Sequence, residues 1–428
     1  MKKKDPMRAW RREAARLHAS HENSPFSGGT ELRDRMAELW LLLRGGPDEV
    51  LRDYRELPEV AITRSQVNAE TELHAGRVPW SADRERLDIV TSIAGTLRAL
   101  DAKLTDLPGF RGKPLSSLAW FSKPADVFVI PRGRAKRTDR QEGPGNGFLR
   151  RATPNHNMIP RTLPGGYEVE VRVDDTLSLP VPCDRVPMVG AALFPGQKME
   201  WDKEGKDGWI ALGADTGQDE AILRQQVTAC YADGLLAAVW PELSMPERRR
   251  EILRSELSQL ENTAEPQSGP HMVVAGSWHD AVEDGHANVM RILDGSGDER
   301  LTFTKISRFF GGGVREGNIR DKRIPVVWTQ DCLISFAICS DFCDLAKPEP
   351  PYIELDVDLV LVPSLGNEKA LKGHETNRDR RRFITAGETA VVQQNEDGKM
   401  PVGWVLPLNK QGLSEEMDAW SVREVDLD

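Results

Sequence analysis

Apolar residues recur along this chain at two different periods, and the change of period divides it. Over roughly the first 125 residues the spacing is helical. Leu32, Met36, Leu39, Trp40 and Leu43 fall on one face, with Thr30 as N-cap and Gly45-Gly46 as the stop. A second helix is predicted from Ser81, running through Leu87, Val90, Ala94 and Leu97 toward Leu104 and ending at Pro108-Gly109.

Residues 131–166 lose this periodicity and are rich in glycine, proline and charge. They predict a loop-rich, solvated basic linker. Its arginines (Arg132, Arg134, Arg137, Arg140, Arg150 and Arg151) are candidates for a phosphate or a nucleic acid, but they lack the interleaved aromatics of a stacking surface. Tyr167–Val173 then alternates strictly and predicts a half-exposed strand that pairs the linker onto one of its neighbours.

From Val186 onward short apolar runs alternate with amphipathic helices. Strands are predicted at Pro187–Phe194, Leu235–Val239, Met272–Ala275, Val289–Leu293, Leu301–Thr304 and Pro325–Val327. Further strands are predicted at Leu333–Ile338, Leu359–Pro363, Thr389–Gln393, Gly403–Leu406 and Ser421–Asp426. Helices are predicted at Gln218–Asp233, Met245–Leu260 and Ala370–Gly387. Strands outnumber helices and several form hairpins, which points to α/β sheets packed face to face with helices outside. The expected organisation is a helical domain over 1–130, a basic linker with one strand over 131–185, and a domain of alternating strands and helices over 186–428.

With 428 residues, the chain is long enough for more than one core. Its 39% hydrophobic and 29% charged residues describe an ordinary globular protein. No apolar run approaches membrane-spanning length, and the basic opening MKKKDPMRAW has no apolar segment behind it, so the expected location is the cytoplasm. The net charge of −10 argues against wholesale nucleic-acid binding. Cys183, Cys230, Cys332, Cys339 and Cys343 show no disulfide-framework spacing, and with dispersed histidines they suggest no metal site.

Three strand ends carry candidate chemistry. Leu333–Ile338 runs into Cys339-Ser340-Asp341, a thiol where a buried strand turns, with the Ser340 amide available to an oxyanion. Leu235–Trp240 runs through Pro241 into Glu242, a carboxylate suited to general-base work if partly desolvated. Leu301–Thr304 ends in Lys305, which could neutralise a tetrahedral adduct. Each has a bland alternative: a packing cysteine, an acid serving the dipole of the next helix, and a surface lysine.

Together, in this order, the three segments resemble the nitrilase superfamily of carbon–nitrogen hydrolases. The resemblance rests on Trp240-Pro241-Glu242-Leu243, Phe303-Thr304-Lys305-Ile306 and Ala337-Ile338-Cys339-Ser340-Asp341, then Asp358–Pro363. It covers about residues 186–428 and nothing before. It implies a four-layer αββα sandwich, nitrilase-like, paired into homodimers or higher homo-oligomers, and chemistry without cofactors. It also implies Cys339 as nucleophile, Glu242 as general base, and Lys305 with the Ser340 backbone amide at the oxyanion. Glu316, in Gly311-Gly312-Gly313-Val314-Arg315-Glu316, is the candidate for a second, substrate-positioning glutamate, its alternative being a solvent-facing loop acid. Where the family often has an aromatic residue after the nucleophile this chain has Ser340, and Phe342-Cys343-Asp344 replaces a frequent arginine and proline, which bears on the substrate.

The expected activity is hydrolysis of a small-molecule amide or N-carbamoyl group, less readily a nitrile. Two alternatives belong to other classes. One is a binding or sensor protein that uses the domain as a scaffold, with a protein partner at the N-terminal helices; the other is a soluble acyltransferase.

Overall fold

The computed structural model describes residues 5–23, 28–107, 116–132, 150–177, 187–202, 208–233, 235–261, 269–311, 313–329, 332–345, 350–396, 401–407 and 419–425. It is a mixed α/β structure. The N-terminal part folds as α1 (Pro6–Glu22), α2 (Gly29–Arg44), α3 (Asp48–Glu56), α4 (Glu59–His74) and α5 (Arg86–Asp106). The apolar face predicted for α2 is buried, with Leu32, Met36, Leu39, Trp40 and Leu43 all in the helical core.

Two boundaries differ from the sequence expectation. Gly28, not Thr30, occupies the N-cap of α2 and makes no side-chain cap bond, so Thr30 lies inside the helix. Ser81 stands in a turn five residues before α5, where its Oγ accepts from the Asp83 N–H. Serine and threonine favour turns as well as caps, and sequence does not separate the two. The proposed stop at Pro108-Gly109 lies outside the described residues.

The predicted linker is in part a structural layer. After β1 (Phe121–Ser122) and β2 (Val127–Pro131) comes β3 (His156–Pro160), and the three form an antiparallel sheet. Val127, Val129 and Met158 face the α1–α5 core, whereas Phe128, Ile130 and Ile159 face the core of the C-terminal sheets. A five-residue strand buried on both faces shows no alternation, which is why sequence periodicity passes over it.

Nor are Arg132, Arg150 and Arg151 solvated. Arg132 and Arg150 share the carboxylates of Asp356 and Asp358, and Arg150 Nη2 donates to the Val357 carbonyl at 2.6 Å. Arg151 Nη2 donates to the Leu57 carbonyl, also at 2.6 Å. Arg134, Arg137 and Arg140 lie outside the described residues. Buried guanidinium groups with carboxylate and carbonyl partners hold the N-terminal part against the rest.

The C-terminal part begins with β4 (Thr162–Leu163) and β5 (Tyr167–Val173), followed by β6 (Met188–Ala192), β7 (Lys198–Asp202) and β8 (Ile210–Asp215). Next come α6 (Asp219–Asp233), β9 (Ala237–Val239), α7 (Glu247–Glu261), β10 (Met272–Val282), β11 (Gly285–Asp294) and β12 (Glu299–Thr304). After the short hairpin β13 (Phe310–Gly311) and β14 (Val314–Arg315) follow β15 (Arg323–Trp328), β16 (Leu333–Phe336) and α8 (Ser340–Cys343). The chain closes with β17 (Leu359–Gly366), α9 (Glu368–Thr385), β18 (Glu388–Asn395), β19 (Gly403–Leu406) and β20 (Trp420–Glu424).

One sheet has the order β12-β11-β10-β9-β6-β20, the other β19-β18-β17-β16-β15-β5-β4. Their facing residues, such as Val239, Val274 and Met290 against Val326, Phe336 and Leu361, share one core. The first sheet's other face packs on α6 and α7 through Leu223, Val227, Leu253 and Leu257. The second sheet's other face carries α9, seated on β17 and β18. Tyr167–Val173 joins this second sheet, parallel to β15, so the sheet begins before Val186.

Candidate active site

The three predicted strand ends meet between the two sheets. Residues 237–239 form a parallel strand whose chain leaves the sheet at Pro241, and Glu242 is fixed there by two close approaches. Leu243, at φ +50°, donates its N–H to Ser277 Oγ at 3.3 Å. Gly276, at φ +53° beside a bulge in β10, comes so close that an added Cβ would lie 2.4 Å from the Pro241 carbonyl. Only glycine fits that conformation and that gap.

Glu242 and Lys305 are in direct contact. Lys305 Nζ lies 2.7 Å from Glu242 Oε1 and 2.7 Å from Glu316 Oε2. Glu316 is therefore not a solvent-facing acid, being 0% exposed. Asn288 Nδ2 donates to Glu242 Oε1 at 3.0 Å and to Glu316 Oε1 at 2.9 Å, tying the carboxylates together from β11. His279 Nδ1 accepts the Ala211 N–H at 2.9 Å, which leaves Nε2 as the protonated nitrogen facing Glu316 Oε1 at 3.1 Å. Phe309 N–H adds a bond to Glu316 Oε2 at 3.0 Å.

The thiol reaches this cluster through one residue. Leu365 N–H donates to Glu242 Oε2 at 3.1 Å, and the Leu365 carbonyl faces Cys339 Sγ at 3.5 Å. Cys339 itself sits past the end of β16, its N–H held by the Pro363 carbonyl at 3.0 Å. Its backbone adopts φ +43° and ψ −104°. That conformation costs a non-glycine residue on the order of 1–3 kcal/mol and persists where surrounding structure enforces it. Ser340 opens the turn of α8, and its Oγ lies 2.6 Å from Ser307 Oγ.

Asp341 links the lysine segment to the thiol turn. Its carboxylate accepts from the Ile306, Ser307 and Ile338 amides at 3.2, 2.8 and 3.2 Å. The chain just after Lys305 is thereby pinned to the chain around Cys339.

Electrostatics follow from burial among opposite charges. Desolvation works against the Lys305 ammonium, but Glu242 and Glu316 overcome it and raise its pKa well above the ordinary value. Burial would raise Glu316; Lys305 and His279 outweigh it and lower the carboxyl to about 2. The Cys339 thiol is pushed up by its hydrogen bond with Cys343, then by burial and Glu242, with Lys305 opposing. Asp341 is lifted to about 7 by burial, against Lys305 and its hydrogen-bond donors.

The hairpin β7–β8 forms an apolar wall over the cluster. Trp201 and Trp209 meet edge to face at 5.2 Å, and Trp209 also stands on His279 at 5.7 Å. Sequence reasoning missed Asn288, His279, Asp341, Leu365 and this wall. Asn288 and His279 had a faint signal as polar residues inside apolar strands, whereas the role of Leu365 belongs to its backbone and has none. Among the described residues, Cys339 and Cys343 are both present as thiols. The sulfurs of Cys339 and Cys343 and one nitrogen of His374 all lie within 4.8 Å of one another, a grouping not expected from the dispersed histidines.

No protein-family model matches the chain, and no curated protein matches it. Among solved structures it is similar to an amidase from Nesterenkonia sp., with 14% identity, 49% of this chain and 78% of that chain covered, and a TM-score of 0.35. A mutant of the Nesterenkonia AN1 amidase, described as from the nitrilase superfamily, gives 13% identity, coverage of 50% and 80%, and a TM-score of 0.35. A mutant of the amidase from Nesterenkonia sp. AN1 in complex with butyramide gives 13% identity, coverage of 57% and 93%, and a TM-score of 0.37. Among the described residues, no helix is long and apolar enough to cross a membrane.

Proposed function

We propose that this chain hydrolyses a non-peptide carbon–nitrogen bond, an amide or an N-carbamoyl group, through a thioester on Cys339. The observation that carries the reading is the Leu365 backbone, hydrogen-bonded to Glu242 on one side and in contact with Cys339 Sγ on the other. Glu242 is in turn paired with Lys305, and this chain of contacts from thiol to carboxylate to ammonium supports a reading as nucleophilic catalysis.

A thiol whose pKa is raised is protonated at neutral pH, so it needs a base as it attacks. Glu242 takes that proton while Sγ adds to the carbonyl carbon. The charge on the adduct oxygen falls to Lys305, which has two carboxylate partners for its three ammonium protons, and to the Ser340 amide. Glu242 then returns the proton to the departing nitrogen, which leaves as ammonia or amine. Water, deprotonated by the same carboxylate, cleaves the thioester and restores the thiol. Glu316, bonded to Lys305, His279 and Asn288, holds the ammonium in place and is a positioning residue. A nitrilase-like αββα domain, acting as a homo-oligomer on a small molecule, is the corresponding architecture.

A screen of simple amides and N-carbamoyl compounds for ammonia release, with mass spectrometry of the protein, tests this. The expected result is turnover with an acyl adduct on Cys339, both lost in Cys339→Ala. One observation favours a second reading, a sensor scaffold: Cys339 is only 4% exposed. An unmodified thiol and no ammonia across the screen would select that reading. Products capped by an added amine would select acyl transfer.

A further inference from the structure

We propose that Cys339, Cys343 and His374 form a binding site for a zinc ion, which takes the Cys339 sulfur as a ligand. The three donor atoms lie mutually within 4.8 Å. Two thiolates and one imidazole are a donor set that zinc accepts, with a fourth, open position. Zn–S bonds of about 2.3 Å and Zn–N bonds of about 2.0–2.1 Å require donors roughly 3.5–3.8 Å apart in a tetrahedron, so closure needs no more than about 1.3 Å of contraction.

The site is built by packing. Gly373 sits where an added Cβ would lie 2.4 Å from the Cys343 carbonyl, and only this close approach brings α9 against the turn of α8. Asn377 Nδ2 clamps the same contact, donating to the Phe342 and Asp344 carbonyls at 2.6 and 3.0 Å. The His374 ring is fully buried and stacked on Phe342, with an interplanar angle of 12°. Its Nε2 lies 3.0 Å from Ser364 Oγ, whereas its Nδ1 is buried with no hydrogen-bond partner among the described residues. A buried ring nitrogen without a partner is costly, and a ligand beside two sulfurs would satisfy it. With Nδ1 as the ligand, the Ser364 contact at Nε2 would be the outer-shell bond that orients the imidazole.

Binding converts two thiols to thiolates and releases two protons, with no change of oxidation state. Cys343 is half-buried and gives the ion an approach that the deeper groups lack. With Cys339 ligated, its sulfur is no longer free to attack a carbonyl. Inhibition by zinc therefore rests on the proposed function, but zinc binding does not.

The test uses the tag-free full chain, stripped of metal, titrated with Zn²⁺ against a chromophoric chelator. One zinc per chain is expected, weakened roughly a hundredfold or more in Cys343→Ser and in His374→Gln. Co²⁺ should give a thiolate-to-metal charge-transfer band, and zinc should shield Cys339 of the unsubstituted protein from iodoacetamide. These two readings need no variant and stand if either substitution prevents folding. Equal affinity in folded variants, absence of the band, or unchanged alkylation of Cys339 overturns the site. Zinc binding without any amide turnover by the zinc-free protein would sink the hydrolase reading alone, and turnover indifferent to zinc would sink the metal site alone.

Discussion

Glu316→Gln tests the physics of the buried cluster. The substitution keeps the shape and an oxygen for Phe309, but removes one of the two anions beside Lys305. Glu316 is lowered from 4.5 to about 2 in the folded protein. At 1.36 kcal/mol per pH unit this corresponds to about 3 kcal/mol at pH 7. Because the folded pKa is depressed, the contribution is complete above pH 4.5 and fades as pH falls toward 2. Urea unfolding of both proteins at several pH values measures it. The difference in stability should be about 3 kcal/mol at pH 7 and about 2 kcal/mol at pH 3.5. A difference below 1 kcal/mol at pH 7, or one that does not shrink with acid, refutes the claim that Glu316 is held ionised by Lys305.

Other perturbations probe the remaining contacts. Lys305→Met leaves two carboxylates facing each other without a counter-charge, and should destabilise by about 3–5 kcal/mol in thermal or urea unfolding. Alkylation of Cys339 by iodoacetamide should keep accelerating as pH rises through 9, because its thiol is pushed well above that value; a plateau near pH 7 would contradict this. His374 is lowered to about 3 by burial, so its contribution to stability is whole above pH 6.5 and lost as pH falls through 3. Imidazole NMR signals should show it neutral at pH 5. Arg150→Met removes a buried cation that Asp356 and Asp358 share and should cost about 3–5 kcal/mol, read as an earlier loss of the contact between the N-terminal helices and the sheets.

The sequence by itself determined the strands and helices whose apolar residues have a regular period or form an unbroken run. The face of α2, the run Leu359–Pro363 and the alternating Tyr167–Val173 were legible because each is dictated by local burial. The order of strand-end Glu242, Lys305 and Cys339 was legible too, since a polar residue terminating an apolar run marks itself. Tertiary structure alone decided what those residues touch. Glu316 read equally well as a loop acid until Lys305, His279 and Asn288 closed around it. Arg150 and Arg151 read as solvated because their carboxylate and carbonyl partners come from chain segments about 100 to 200 residues away. The meeting of His374 with two cysteines required α9 to lie against α8, which depends on a missing side chain at Gly373. Local patterns report how each segment meets solvent; only packing decides which segments meet one another.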